Sequence, residues 1–165
     1  MKKFCLTSTI AVSLLIFSTG IQGQTTQTQL DEVKLIQQFI GTWQRDVGQD
    51  SIAIWEIQQH NKAFVSNEYR VFGGKKSLHF EMIWSFYPKE GKSKGYILYD
   101  KGGYQTWNGS FTSEKKWSGS YLRDFNPEAV VGTWDFVLDT PSSIVVTSYN
   151  TKGEKTWEGK YHKIK

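Results

Sequence analysis

Glu68, Tyr69 and Arg70 are three consecutive side chains that could bind or transform a polar group. Successive side chains of a β-strand point to opposite faces, so Glu68 and Arg70 share one face and Tyr69 lies on the other. Both faces of this stretch mix polar and apolar residues, and the sequence leaves open which of them is the inward face. Facing a pocket, Glu68 and Arg70 would form a charged rim, and a carboxylate placed there could serve as a general base.

The three histidines could hold a metal ion or assist proton transfer. His60, His79 and His162 are far apart in sequence and no two fall on one predicted strand, so we predict no metal site and no cofactor. His79 and Glu81 share one face of a strand and could orient a catalytic imidazole. The pattern favours the simpler interpretation that this pair is exposed on the outside of a sheet.

The motifs of the common enzyme classes are missing. The sequence has no Gly-x-Ser-x-Gly nucleophile elbow, no His-Glu-x-x-His, no complete dinucleotide fingerprint and no complete phosphate loop. Its single cysteine, Cys5, lies in an N-terminal segment that we expect to be removed, which excludes disulfides, thiolate metal sites and cysteine nucleophiles from the mature chain. The sequence does not decide whether the protein is an enzyme, and the missing motifs favour a protein without enzymatic activity.

Residues 1–23 have the pattern of a secretory signal peptide. Lys2 and Lys3 precede an apolar stretch that ends at Phe17, and small residues follow near the expected cleavage site. Cys5 precedes the apolar stretch, so we expect no lipid anchor. The pattern predicts a secreted or periplasmic protein, and removal of the two lysines lowers the net charge from +4 to +2. Such a small charge gives no indication of nucleic-acid binding.

The next residues predict a short leader and one helix. Residues 24–29 are a polar run of Gln and Thr that we expect to be a disordered leader. Apolar residues recur at helical spacing from Leu30 to Ile40, with Thr28 as the candidate cap, and Gly41 ends the helix.

After the helix the hydrophobic period changes to two, and stretches rich in β-branched and aromatic residues alternate with turn residues. Short links force antiparallel neighbours, and closure of the sheet protects its edge strands. We therefore predict that residues 30–165 form a single all-β domain, an antiparallel up-and-down β-barrel of about eight to ten strands with one short N-terminal helix. The predicted strands are 42–47, 51–59, 62–72, 77–88, 95–101, 104–112, 116–124, 132–138, 143–150 and 155–164.

The stretch from Ser77 to Tyr87 gives the clearest division of faces. One face carries five large apolar side chains, which we expect to point into the barrel because only a covered interior buries such a row. These side chains are Leu78, Phe80, Met82, Trp84 and Phe86. The predicted ligand-binding residues are the last four of these together with Glu68, Tyr69 and Arg70.

A Trp-x-Gly-x-aromatic pattern occurs three times, centred on Gly109, Gly119 and Gly159. In a strand the three key residues share a face, so a neighbouring ring can lie across the bare glycine. We interpret the pattern as packing and curvature of a barrel. The same glycines could instead leave a cavity beside Trp84.

The start of the predicted barrel resembles the opening of lipocalin-like (calycin) proteins, where a Gly-x-Trp motif follows a short helix. Here that motif is Gly41-Thr-Trp43. The chain also shares an order of short motifs with the bacterial lipocalin-like proteins grouped as the DUF1579 family of unknown function: Trp55-Glu56, Tyr99-Asp100, Gly103-Tyr104, Trp107, Trp157 and Tyr161. The resemblance covers most of residues 35–165. It implies a barrel that holds, or once held, a small apolar or amphipathic molecule.

The resemblance also implies structural roles for both residues of the opening motif. In calycins an arginine from a late strand packs on the first-strand Trp, whereas the end of this chain offers Lys163 and Lys165. Gly132-Thr-Trp134 repeats the opening motif in a late strand, so either Trp43 or Trp134 could plug the barrel.

Four functions follow as hypotheses. The leading one is a secreted, monomeric or weakly dimeric protein that binds a small hydrophobic or amphipathic molecule. The second is a metal-free isomerase or cyclase, which needs an acid and a base such as Glu68, Glu81 or His79 inside the pocket. The third, haem binding as in nitrobindin-like barrels, rests on His162, which the strand register places outward. The fourth is glycan binding or adhesion through exposed aromatic rings.

Overall fold

A computed structural model describes residues 31–165 of the chain. Its strands pair antiparallel in chain order, and the last strand closes on the first, which confirms the predicted all-β up-and-down barrel with ten strands. The predicted signal peptide and leader, residues 1–29, lie outside the described residues. The strands are β1 Gly41–Gly48, β2 Ser51–His60, β3 Ala63–Phe72, β4 Lys75–Tyr87, β5 Lys92–Tyr99, β6 Tyr104–Ser113, β7 Lys116–Arg123, β8 Asn126–Thr140, β9 Ser143–Tyr149 and β10 Lys155–Lys163.

Every predicted strand corresponds to an observed one, and the largest difference is the start of β8. The prediction began β8 at residue 132. In the structure β8 begins at Asn126 and pairs with β7 through an irregular register between Leu122 and Arg123. Such irregular pairing tolerates a proline near the start of a strand, since its missing N–H is not needed in the ladder.

The helix α1, Glu32–Ile36, and the 3₁₀ turn Gln37–Phe39 close one end of the barrel. Asp31 caps α1 by accepting a 3.1 Å hydrogen bond from the Lys34 backbone N–H; the predicted cap, Thr28, lies outside the described residues. Ile36 and Phe39 are buried in the core. Because their side chains enter the barrel from its end, α1 acts as a lid on that end.

Trp43 is fully buried beneath this lid. Its indole Nε1 donates a 2.7 Å hydrogen bond to the Phe39 carbonyl. Lys163 Nζ lies 5.1 Å from the centre of the Trp43 ring, within cation–π distance. At Gly41, with φ of +137°, an added Cβ would lie 2.5 Å from Lys165 O, so no other residue fits there without a shift.

Trp134 and Gly132 have a different position from the opening motif. Trp134 is buried further along the barrel and stacks on Tyr121, with 5.0 Å between ring centroids. A Cβ on Gly132 would lie 2.8 Å from Tyr149 O, so β8 and β9 approach closely at this point. Trp43 is therefore the residue that plugs the helix end.

Tryptophan rings fill the space in front of the pattern glycines. A Cβ on Gly109 or on Gly119 would lie 2.2 Å from the Trp117 ring, and one on Gly159 would lie 2.7 Å from the Trp157 ring. The interpretation of the pattern as barrel packing is therefore confirmed. These rings occupy the space directly in front of the glycines.

Candidate functional site

The barrel contains a cavity of about 370 Å³ at the end opposite α1. The α1 end carries the β6–β7 turn, where Gln38 Nε2 donates a hydrogen bond to Glu114 O. Among the lining residues, Tyr99 and Trp157 lie next to the turns of the other end and are exposed, so the cavity opens to solvent there. The residues lining this main cavity are Arg45, Trp55, Glu68, Arg70, His79, Phe80, Met82, Ile97, Tyr99, Tyr121, Trp134, Phe136, Val146, Ser148, Trp157 and Tyr161.

The inner wall of the main cavity is apolar. Trp55, Met82, Trp134 and Phe136 are buried and separate it from a smaller cavity of about 30 Å³ nearer the helix. The Trp55 and Phe136 rings stack with 5.5 Å between their centroids. The smaller cavity has room for about one water molecule. Aromatic rings thus fill the helix end of the barrel and leave the other end open.

Glu68 is the most buried polar group of the main cavity. It points inward from β3 with 3% of its surface exposed. The Tyr161 hydroxyl donates a 2.5 Å hydrogen bond to Glu68 Oε2, and Arg70 Nη2 lies 2.9 Å from Glu68 Oε1. A buried carboxylate is unfavourable unless its charge is paired, and these two contacts provide the pairing. The face left open by the sequence is thereby assigned: Glu68 and Arg70 point inward.

Arg45 brings a second guanidinium to the main cavity, from β1. Its guanidinium carbon lies 4.8 Å from the centre of the Trp157 ring and 5.3 Å from that of Tyr161, both within cation–π distance. Its Nε is buried and has no hydrogen-bond partner within residues 31–165. In the same part of the chain, no salt bridge includes Arg45.

Burial changes the acidity of two tyrosines in the main cavity. Burial, and then the adjacent Glu68 carboxylate, raise the pKa of Tyr161 well above its usual value of 10, against a smaller opposing effect of Arg45. Burial raises the pKa of Tyr121 to about 12, with the Ser148 side chain acting in the opposite direction. Both hydroxyls are therefore protonated at neutral pH and available for hydrogen bonding.

A β-bulge in β4 overturns part of the predicted side-chain alternation. Glu68 pairs with Phe80 and Tyr69 pairs with Leu78, so His79 is an extra residue in β4. Leu78 is 41% exposed on the outer face, and the prediction that it points inward is wrong. The prediction that His79 lies outside is also wrong, because the bulge places it in the lining of the main cavity.

Four of the seven predicted ligand-binding residues line the main cavity, namely Glu68, Arg70, Phe80 and Met82. Glu68 and Arg70 alternate inward along β3, which has no extra residue, and Phe80 and Met82 alternate inward on the part of β4 that follows the bulge.

The other three predicted binding residues lie elsewhere. Trp84 lines the smaller cavity near the helix, and half-buried Phe86, further along β4, is not among the residues lining either cavity. Tyr69 alternates with its inward neighbours and points outward, where Lys76 Nζ lies 3.7 Å from its ring centre. The placement of Tyr69 in the ligand-binding set is corrected accordingly.

The sequence interpretation missed several lining residues, above all Arg45 and Tyr161. Both carried a usable signal, because Arg45 follows inward-facing Trp43 by two positions and Tyr161 follows Gly159 by two. His162, next to Tyr161, is exposed, as the strand register predicted. It therefore cannot serve as the axial ligand of a group bound inside the barrel.

Among residues 31–165, no three His, Cys, Asp or Glu side chains are grouped closely enough to hold a metal ion. In that same range, no helix has the length and apolar character needed to cross a membrane.

No protein-family model matches the chain, and no curated protein matches it at a significant level. The function is therefore argued from the geometry and charge of the main cavity.

Proposed function

We propose that this protein binds one small apolar or amphipathic molecule in the main cavity, in the manner of the lipocalin-like barrels that its sequence resembles. The observation that carries the proposal is the unfilled volume of about 370 Å³, which lies within the range of about 300 to 1,000 Å³ of small-molecule sites. In keeping with the signal-peptide pattern, the proposed place of action is the periplasm or the cell exterior.

The walls of the main cavity suit a molecule with an apolar body. Trp55, Ile97 and Phe136 offer large apolar surfaces, whereas the polar groups collect around Glu68 and Arg45. Burial of roughly 200 Å² of apolar ligand surface would contribute about 5 kcal/mol, before the entropic cost of association is subtracted. A ligand of this kind gains affinity from the inner wall and orientation from the polar groups.

A fluorescence titration with the neutral apolar probe N-phenyl-1-naphthylamine tests the proposal. We expect saturable binding of one probe per chain. Val146→Phe enlarges a buried residue that lines the cavity and should weaken binding, whereas Val137→Phe, on the exposed face of β8, should not. Absence of saturable binding by the folded wild type, or equal binding by both variants, contradicts the proposal.

A second candidate function is acid–base catalysis by a metal-free isomerase or cyclase. Glu68 and His79 both line the main cavity, and this observation favours it. One of the two groups would remove a proton from the ligand, and the other would return a proton to a different atom of it. The overall reaction is then an isomerisation in which all atoms balance. Native mass spectrometry of protein purified from its host can identify a bound compound. Conversion of that compound by the wild type and not by His79→Gln supports catalysis, and its recovery unchanged from the wild type contradicts it.

A further inference from the structure

We infer that the ligand of the main cavity is an amphipathic anion, whose single acidic head contacts Arg45 and whose apolar body lies against Trp55 and Phe136. This inference rests on the proposed function, because it assigns a chemical class to the molecule bound there.

The charges of the lining residues point to an anion. Arg45, Glu68 and Arg70 are the lining residues with a formal charge at neutral pH when His79 is neutral. Glu68 and Arg70 form an ion pair at 2.9 Å, so their charges compensate each other. One positive charge, that of Arg45, has no acidic partner within the described part of the chain.

Arg45 is also held in a fixed position by two aromatic rings. The rings of Trp157 and Tyr161 flank its guanidinium at 4.8 and 5.3 Å, which fixes the group and offers it π faces. Arg45 Nε is nevertheless buried, and residues 31–165 offer it no hydrogen-bond acceptor. A carboxylate or sulfate has two or more oxygens that match the donors of a guanidinium, so an acidic head would complete this arrangement.

Glu68 does not oppose an anion at this position as strongly as its charge suggests. Its Oε2 accepts the hydrogen bond from Tyr161, and its Oε1 faces the guanidinium of Arg70. A cationic head would instead meet Arg45 directly and would have to compete with Arg70 for Glu68. A neutral head would leave the charge of Arg45 without a counterion.

Three ligands with the same ten-carbon chain and different heads test the inference. Decanoate, decanol and decyltrimethylammonium are used to displace N-phenyl-1-naphthylamine at pH 8, each below its micelle concentration. We expect decanoate to bind at least about tenfold more tightly than decanol, as a charge-assisted hydrogen bond allows, and decyltrimethylammonium to bind most weakly.

Arginine variants then locate the effect. In Arg45→Gln the ratio of decanoate to decanol affinity should fall close to one. Arg123→Gln removes the same charge from an exposed position outside the main cavity and should keep the wild-type ratio. An equal loss in the two variants would show a general electrostatic effect and overturn the inference. Circular dichroism checks that each variant is folded. If Arg45→Gln is not folded, the ratio of decanoate to decanol affinity in the wild type decides alone.

The possible failures are distinguishable. If the wild type binds the probe but binds decanol as tightly as decanoate, or none of the three ligands displaces the probe, the inference is overturned and the proposed function stands. If the folded wild type does not bind the probe at all, the proposed function fails and the inference fails with it.

Discussion

The Tyr161 hydroxyl on β10 donates its hydrogen bond to Glu68 Oε2 on β3, and so joins two strands that are not neighbours in the barrel. The contact spans 93 positions of sequence. It satisfies the Oε2 atom of a carboxylate that is almost fully removed from water, and it borders the main cavity. One side-chain pair thus serves the stability of the barrel and the shape of its cavity.

Removal of the Tyr161 hydroxyl should lower the stability of the protein. Tyr161→Phe leaves Glu68 with Arg70 as its remaining partner, and we expect a loss of about 1 to 3 kcal/mol in the free energy of unfolding, as for other buried groups that lose a partner. Urea denaturation gives the value. The matched control is Tyr87→Phe, which removes the hydroxyl of an exposed ring and should change stability little. Similar losses in the two variants would contradict the role given to Tyr161.

Glu32 should make the stability of the protein depend on pH. Burial raises its pKa above the usual 4.5, and the 2.7 Å hydrogen bond from the Phe111 N–H opposes this rise only in part. The folded protein therefore binds this proton more tightly than the unfolded chain does. The stabilising contribution is complete below pH 4.5 and is lost as the pH rises through the raised pKa.

The measurement is the difference in unfolding free energy between the wild type and Glu32→Gln across the acid range. We expect this difference to shift against the wild type as the pH rises above 4.5 and then to become constant. Glu114→Gln, at an exposed position, controls for the general loss of a carboxylate. A difference that is independent of pH, or that shifts in favour of the wild type as the pH rises, would show that Glu32 does not have this role.

Trp43 should contribute more to stability than an exposed ring does. Trp43→Ala removes a fully buried indole and its hydrogen bond to Phe39, with an expected loss of about 3 to 5 kcal/mol. Phe72→Ala removes a ring that is 65% exposed and should have a small effect. Thermal and urea unfolding of both variants give the comparison. Comparable losses would refute the assignment of Trp43 as the plug of the helix end.

The sequence predicts the barrel well because each strand carries a local signal. Alternating side chains mark the strands, and glycines that adopt positive φ, such as Gly73 and Gly102, mark the turns between them. The bulge in β4 has no such signal, since Leu78, His79 and Phe80 alternate evenly in sequence. Its position is set by pairing with β3, which is a tertiary property.

The polar part of the main cavity was less predictable for a related reason. Arg45 and Tyr161 meet only because β1 and β10 close the barrel, and they are more than a hundred residues apart in sequence. The backbone N–H that donates a hydrogen bond to Glu32 likewise belongs to Phe111, 79 positions away. Each residue has an ordinary local context, and its role arises from a distant partner.

The most direct test of binding inside the barrel is an NMR experiment on the protein with bound N-phenyl-1-naphthylamine. Isotope-filtered nuclear Overhauser effects report which protein methyl groups lie within a few ångströms of the probe. We predict contacts to the methyl groups of Met82, Ile97 and Val146, which line the main cavity. Contacts confined to exposed side chains such as Val130 and Ile164, without any to the cavity residues, would contradict binding inside the barrel.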